Sequence, residues 1–230
     1  MSDRPALPRL RHLALVADDL EATSAALREA LGLGIPYTED PLAPRWGVRN
    51  AVFALGDQFL EVISPLSDDT PAARHLKRRG GDGGYMVMFQ VPDVAAARAR
   101  ARAQSVRIVW EHDGPDMSGT HLHPGDLPGA IVSLDASTPP QAWRWAGPEW
   151  VGKAGEGAIG AVLSATVAVL DPVGVAARWA RVLGVDSVPD VRFVAGEEGL
   201  EAIELALPDH VRAGRDEVRI GGVRFVLAPL

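Results

Sequence analysis

Histidines and carboxylates must carry any metal or acid–base chemistry in this chain, because it has 6 histidines and no cysteine. Thiolate zinc sites, Fe–S clusters, disulfides and cysteine nucleophiles are thereby excluded. The groups of interest sit in or beside short apolar runs: His12, Glu61, His121, His123 and Asp135. Imidazole nitrogen and carboxylate oxygen both bind Zn, Ni, Mn or Fe. A carboxylate or imidazole with a shifted pKa can also move a proton next to a carbonyl.

These residues need elements that bring them together, and a repeat supplies them. Residues 12–19 read HLALVADD, 86–93 read MVMFQVPD and 164–171 read SATVAVLD. Each run ends in an aspartate and is followed by an Ala-rich stretch. The physical reading is a strand and then a helix, with Asp19, Asp93 and Asp171 as N-caps. Pro172 suits the first helical position, and Gly32 and Gly184 suit helix stops. Arg98, Arg100 and Arg102 are read as solvated. Further strand candidates follow each helix: 47–57 and 58–65; then 106–113, 120–124 and 129–135; then 191–196, 199–207 and 221–230. The predicted unit is βαβββ, three times over, in an α+β fold. The first two units, 9–66 and 83–136, form a domain over 1–136. A Trp/Pro/Gly-rich linker at 137–157 leads to a third unit at 158–230, whose apolar face either covers the first domain or pairs with its copy in a homodimer.

Side chains alternate across a strand. Leu13, Leu15, Ala51, Phe53, Leu60, Val62, Tyr85, Val87, Phe89, Val132 and Leu134 are assigned to the helix side. The other face then collects His12, Asn50, Glu61, Met86, Met88, Gln90, Ser133 and Asp135. A half-apolar face with convergent polar groups reads as a ligand cavity. Trp143, Trp145 and Trp150 read as glue between linker and sheets. His75, among Arg74, Lys77, Arg78 and Arg79, reads as part of a solvated helix, with an anion contact at the cleft rim as the alternative.

The net charge of −7, with no basic tract, argues against nucleic-acid binding. The longest nearly apolar run, 158–170, is too short to span a bilayer. No basic start precedes an apolar segment, so a soluble cytoplasmic protein is expected, with no membrane partner.

HLALVADDLEATSAALREALGLG, FLEVISP and HLHPGDLPGAIVSLD resemble the vicinal oxygen chelate superfamily, which includes glyoxalase I, methylmalonyl-CoA epimerase, extradiol dioxygenases and bleomycin-resistance proteins. The resemblance implies two paired units curled around a cleft, with a divalent metal (Zn, Ni, Mn or Fe) held by the first and last strands of both. The ligand positions fall on His12, Glu61, Met86 and Ser133. Met86 and Ser133 are poor ligands for a hard divalent ion. His121, His123 or Asp135 would then complete the site or shuttle a proton. The site set is His12, Glu61 and His121 for metal, Glu61 and His123 for catalysis, and Asn50, Met86, Met88, Gln90, Ser133 and Asp135 for substrate. The expected function is a metal-dependent enzyme acting on vicinal oxygens, by lyase, isomerase or dioxygenase chemistry. The alternative is a metal-free protein that sequesters a small molecule, as the bleomycin-resistance branch does.

Overall fold

The computed structural model describes residues 6–148, 150 and 160–230. Linker residues 149 and 151–157, and the first two residues of the expected third unit, lie outside them.

The first unit runs β1 (Arg9–Val16), α1 (Leu20–Leu31), β2 (Val48–Leu55) and β3 (Gln58–Pro65). Its remaining strand is reduced to a single bridge, Tyr37 to Val52. Helix α2 (Pro71–Arg79) leads to the second unit: β4 (Gly83–Gln90), α3 (Val94–Ala103), β5 (Ile108–Asp113), β6 (Met117–Leu122) and β7 (Ile131–Ser137). Asp19 and Asp93 cap their helices as expected, accepting from the N–H groups of Ala22 and Ala96. Together the units form a seven-stranded sheet in the order β2-β3-β1-β4-β7-β6-β5.

The two units meet at the antiparallel pair β1·β4, and its register is broken twice. Leu10 faces Phe89 and His12 faces Met88, so Arg11 is extra on β1. Ala14 faces Met86 and Leu15 faces Gly84, so Tyr85 is extra on β4. Each bulged residue immediately precedes a position that strict alternation sets on the cleft face. Tyr85 therefore packs with Met86 and Met88 on that face, not under the helices as alternation predicted.

The C-terminal segment has the expected strands and is wired differently. It comprises β8 (Ala161–Val169), α4 (Pro172–Leu183), β9 (Val191–Ala195), β10 (Gly199–Leu207), a single helical turn α5 (Asp209–Arg212), β11 (Glu217–Ile220) and β12 (Val223–Pro229). Its sheet runs β11-β12-β10-β8-β9. β8 is parallel to β9, and β10 is parallel to β12. The segment is thus two abbreviated units sharing the antiparallel seam β8·β10. That seam has its own two bulges, at Leu163 and Glu201. Phe225 is fully buried in the core, and Arg192 of β9 pairs with Thr166 of β8.

This second sheet covers the helix side of the first and finds there the partner its apolar face requires. One core contains Leu13, Leu15, Leu60 and Phe89 from the first sheet, with Val167, Leu200, Ile203 and Phe225 from the second. Polar ties reinforce the contact. The Gln58 amide bridges both backbone groups of Val162 (2.9 and 3.1 Å), and Arg215 donates to the Ala30 carbonyl (2.8 Å). Two arginines expected to be solvated are structural. Arg98 is buried, donating to Thr120 Oγ1 (2.6 Å), Asp113 (2.7 Å) and the Gly119 carbonyl (2.9 Å). Arg100 donates to the carbonyls of Val182 and Leu183, the free end of α4. None of the described helices is long and apolar enough to cross a membrane.

The sheets approach closely at Gly84, where an added Cβ would lie 2.3 Å from Leu200 Cβ and 2.4 Å from its carbonyl oxygen. Gly84→Ala forces the sheets apart and should cost about 2 kcal/mol by urea unfolding, within the usual overpacking range. An unchanged midpoint would show that the interface is not this tight.

Candidate functional site

The open face of the seven-stranded sheet is a cleft filled by the chain's own aromatic residues. Trp143, Trp145 and Trp150 come from the segment after β7, and Trp46 comes from a short helical turn at Ala43–Trp46. They pack with Phe59, Met86 and Met88. The tryptophans do act as glue, but the surface they glue is the cleft itself.

Arg11 anchors this plug. Its guanidinium lies 5.7 Å from the Phe59 ring, 5.1 Å from Trp143 and 5.6 Å from Trp150. It also donates to Gln90 Oε1 (2.5 Å) and to the Gln141 carbonyl (3.3 Å). Burial lowers its pKa to about 10, which leaves it charged at neutral pH. Three aromatic faces and two oxygens offset its desolvation. Gln90, expected to touch substrate, instead ties β4 to the plug by donating to the Pro140 carbonyl (2.8 Å).

Next to Arg11, His12 is almost fully buried. The Trp143 indole N–H donates to His12 Nδ1 (3.3 Å), which puts the ring proton on Nε2. That N–H faces Glu61 Oε2 at 3.5 Å. Asn50 Nδ2 donates to the other carboxylate oxygen, Glu61 Oε1, at 2.7 Å. Glu61 lines a cavity of about 20 Å³ with Asn50, Met86, Met88, His121 and Trp145. His121 is in the cleft, ringed by Trp110 (4.6 Å), Trp46 (5.0 Å) and Trp145 (6.2 Å). Ser133 and Asp135 are buried on the same face, further along β7. His123 is not brought there. It lies past the end of β6 on the turn to β7, where it accepts from the Gly125 N–H (3.0 Å) beside the Arg107–Asp126 pair, so its expected catalytic role is not supported.

The pairing confirms which positions correspond across the seam. His12 on β1 matches Met86 on β4, and Glu61 on β3 matches Ser133 on β7. A divalent metal does not fit these donors. Among the described residues, no three of His, Asp and Glu come together as a metal-holding group. A ligating imidazole donates its second N–H to an acceptor, whereas here the second nitrogen of His12 is itself an acceptor. The expected metal set of His12, Glu61 and His121 is therefore not assembled.

A family model described as a glyoxalase-like domain matches residues 10–183. The chain belongs to the glyoxalase-like domain family. That family lies within the vicinal oxygen chelate superfamily. An ethylmalonyl-CoA/methylmalonyl-CoA epimerase of Cereibacter sphaeroides is 31% identical over 133 residues, which is 55% of this chain and 96% of that protein. The mitochondrial methylmalonyl-CoA epimerase of Bos taurus is 32% identical over 56% of this chain and 74% of its own length. Among solved structures, a Streptomyces coelicolor methylmalonyl-CoA epimerase variant bound to 2-nitronate-propionyl-CoA is 27% identical, with a TM-score of 0.51 over 57% of this chain and 99% of that one.

This glyoxalase-like cleft differs from a filled core in its unpaired polar atoms. His12 Nε2, Asn50 Oδ1 and His121 Nε2 are buried without hydrogen bonds, whereas Trp145 and Ser133 stand beside the Asp135 carboxyl and favour its ionised form. Buried polar atoms are nearly always paired, so these three are open to a water or a ligand. Ionisation follows burial. Desolvation raises Glu61 to about 8, with the Asn50 amide opposing and Asp40 adding to the rise. Desolvation also raises Asp135 to about 7 and lowers both His12 and His121 to about 3. Sequence reasoning missed Arg11 and Trp46. Neither carries a motif, and Arg11 reaches the cleft only through the bulge.

These shifts set how stability depends on pH. Between pH 4.5 and 6.5 the folded carboxyls hold protons that the unfolded chain releases, while the unfolded histidines take up protons that the folded ones refuse. The two trends oppose each other there. From pH 6.5 to about 8 only the carboxyl effect remains, so stability falls as pH rises. The melting temperature should drop across that window, and Glu61→Gln should flatten the drop. An equal slope in the variant would place the titrating group elsewhere.

Proposed function

We propose that the cleft is a metal-independent acid–base site acting on a small carbonyl compound, with Glu61 moving a proton at the carbon beside the carbonyl. The product is the epimer or another isomer. The observation that carries this reading is the set of orphaned polar atoms around a carboxyl whose pKa lies near 8.

At pH 7 about one Glu61 in ten is ionised, a modest cost for a base of this strength. The ionised carboxylate takes the carbon-bound proton, and the electron pair moves onto the carbonyl oxygen. One unpaired donor, His12 Nε2–H, faces the cleft and can stabilise that oxyanion. Asn50 holds Glu61 in place through Oε1, leaving Oε2 free to react. Return of the proton by Glu61 gives only exchange with solvent; the epimer forms when a second acid on the same sheet face, Asp135, protonates the carbon from the opposite side. The cavity of about 20 Å³ has room for roughly one water. Substrate must therefore displace Trp46 or Trp145. The named activity of the relatives, epimerisation of acyl-CoA compounds, supports the reaction class by analogy.

The tryptophan-filled cleft favours a second reading, a protein that sequesters an aromatic compound by exchanging it for its own rings.

Deuterium uptake separates the two readings. Branched malonyl and acyl thioesters, and α-hydroxy ketones, are incubated with the protein in D₂O with and without EDTA, and exchange at the α-carbon is followed by mass spectrometry. Enzyme-dependent exchange should rise with pH towards 8, and Glu61→Gln should lower it by about a hundredfold or more. No exchange across the panel, with an aromatic ligand quenching the tryptophan fluorescence, would replace this reading with the second. Exchange abolished by EDTA would overturn the metal-free mechanism.

A further inference from the structure

We propose that the groove between α2 and the β6–β7 turn binds a phosphorylated small molecule that also carries hydroxyl or amino groups. This site is separate from the cleft chemistry and does not rest on it.

The groove has a volume of about 700 Å³. One wall is α2, which carries Arg74, Lys77, Arg78 and Arg79 in a chain whose net charge is −7. None of these four cations pairs with a carboxylate among the described residues. Their guanidiniums meet neutral acceptors only: Arg74 the Asp69 carbonyl (2.5 Å), Arg78 the ring of His75 (3.3 Å) and Arg79 the Asp82 carbonyl (3.3 Å). The helix dipole accounts for cations in the last turn of α2, but not for Arg74 or for the groove they line.

The floor is apolar, formed by Tyr85, Ala130 and Ile131. His75 stands edge-on to Tyr85 at 5.0 Å. The lining is also acidic. Glu197 and Glu198 are exposed there, and Glu198 accepts from the Gly129 N–H (3.2 Å). The guanidiniums in the lining select phosphate oxygens. The carboxylates in the same lining limit the anionic charge accepted and take hydroxyl or amino donors. The apolar floor suits a flat ring.

Calorimetric titration tests this with ADP, adenosine and pyrophosphate as probes, on the wild type, on Arg74→Ser with Arg78→Ser, and on Glu197→Gln with Glu198→Gln. The substituted side chains are exposed, so both double variants should keep the wild-type melting temperature. ADP should bind, adenosine should bind at least about tenfold more weakly, and the arginine variant should lose about tenfold or more in affinity for ADP. Added salt should weaken ADP binding. The glutamate variant should narrow the preference for ADP over pyrophosphate. No ADP binding at millimolar concentration, or equal binding by the arginine variant, would overturn the proposal. ADP binding no tighter than pyrophosphate would overturn the role of the acidic lining.

Discussion

The β1·β4 seam is the constraint on which the cleft depends. A regular antiparallel pair would send Arg11 and His12 to opposite faces. The bulge lets both point into the cleft, where one anchors the tryptophans and the other faces Glu61. Its counterpart at Tyr85 does the same for the second unit, supplying an aromatic wall beside Met86. A bulge increases local twist, and a sheet twisted at its middle is one that curls around its own face. Shape and side-chain placement thus share one origin in the backbone.

Burial then decides what the cleft can be. Every ionisable group on its face except Arg11 has its neutral form favoured, because water is excluded and the opposite charge that Arg98 brings to Asp135 is too weak to offset burial. A metal ion would reverse that logic by stabilising carboxylates and consuming imidazole lone pairs. Met86, Ser133 and the Trp143–His12 hydrogen bond all point the other way. The site keeps the strand arrangement of the glyoxalase-like fold, with carboxyls and imidazoles whose burial favours their neutral forms.

Much of this was legible in the sequence. Strict alternation placed His12, Asn50, Glu61, Met86, Met88, Ser133 and Asp135 on one face, because each lies in a strand whose other face is unmistakably apolar. The three aspartate caps were readable because their local chemistry is self-contained. Tyr85 failed because a one-residue bulge shifts the alternation without changing composition. Arg98 failed because its partners, Thr120 and Asp113, lie on strands far along the chain. The pairing of β9 with β8 was hidden for the same reason: strand order is a property of the sheet, not of any segment. His121 and His123 share a face by sequence parity, yet only His121 is inside, since β6 ends between them.

The repeated bulge carries a historical consequence. Arg11, Tyr85, Leu163 and Glu201 occupy equivalent places at two seams, one in each sheet. Four copies of one supersecondary pattern, two of them shortened, are what serial duplication followed by drift leaves behind. The second pair has drifted furthest. On the outer face of its sheet, Ser164 donates to Glu204 (2.9 Å), which also pairs with Arg192 (2.8 Å). These charges are satisfied where those of the first cleft are not. One duplicate has thus become scaffold, which frees the other to keep the unpaired polar groups that a scaffold could not tolerate.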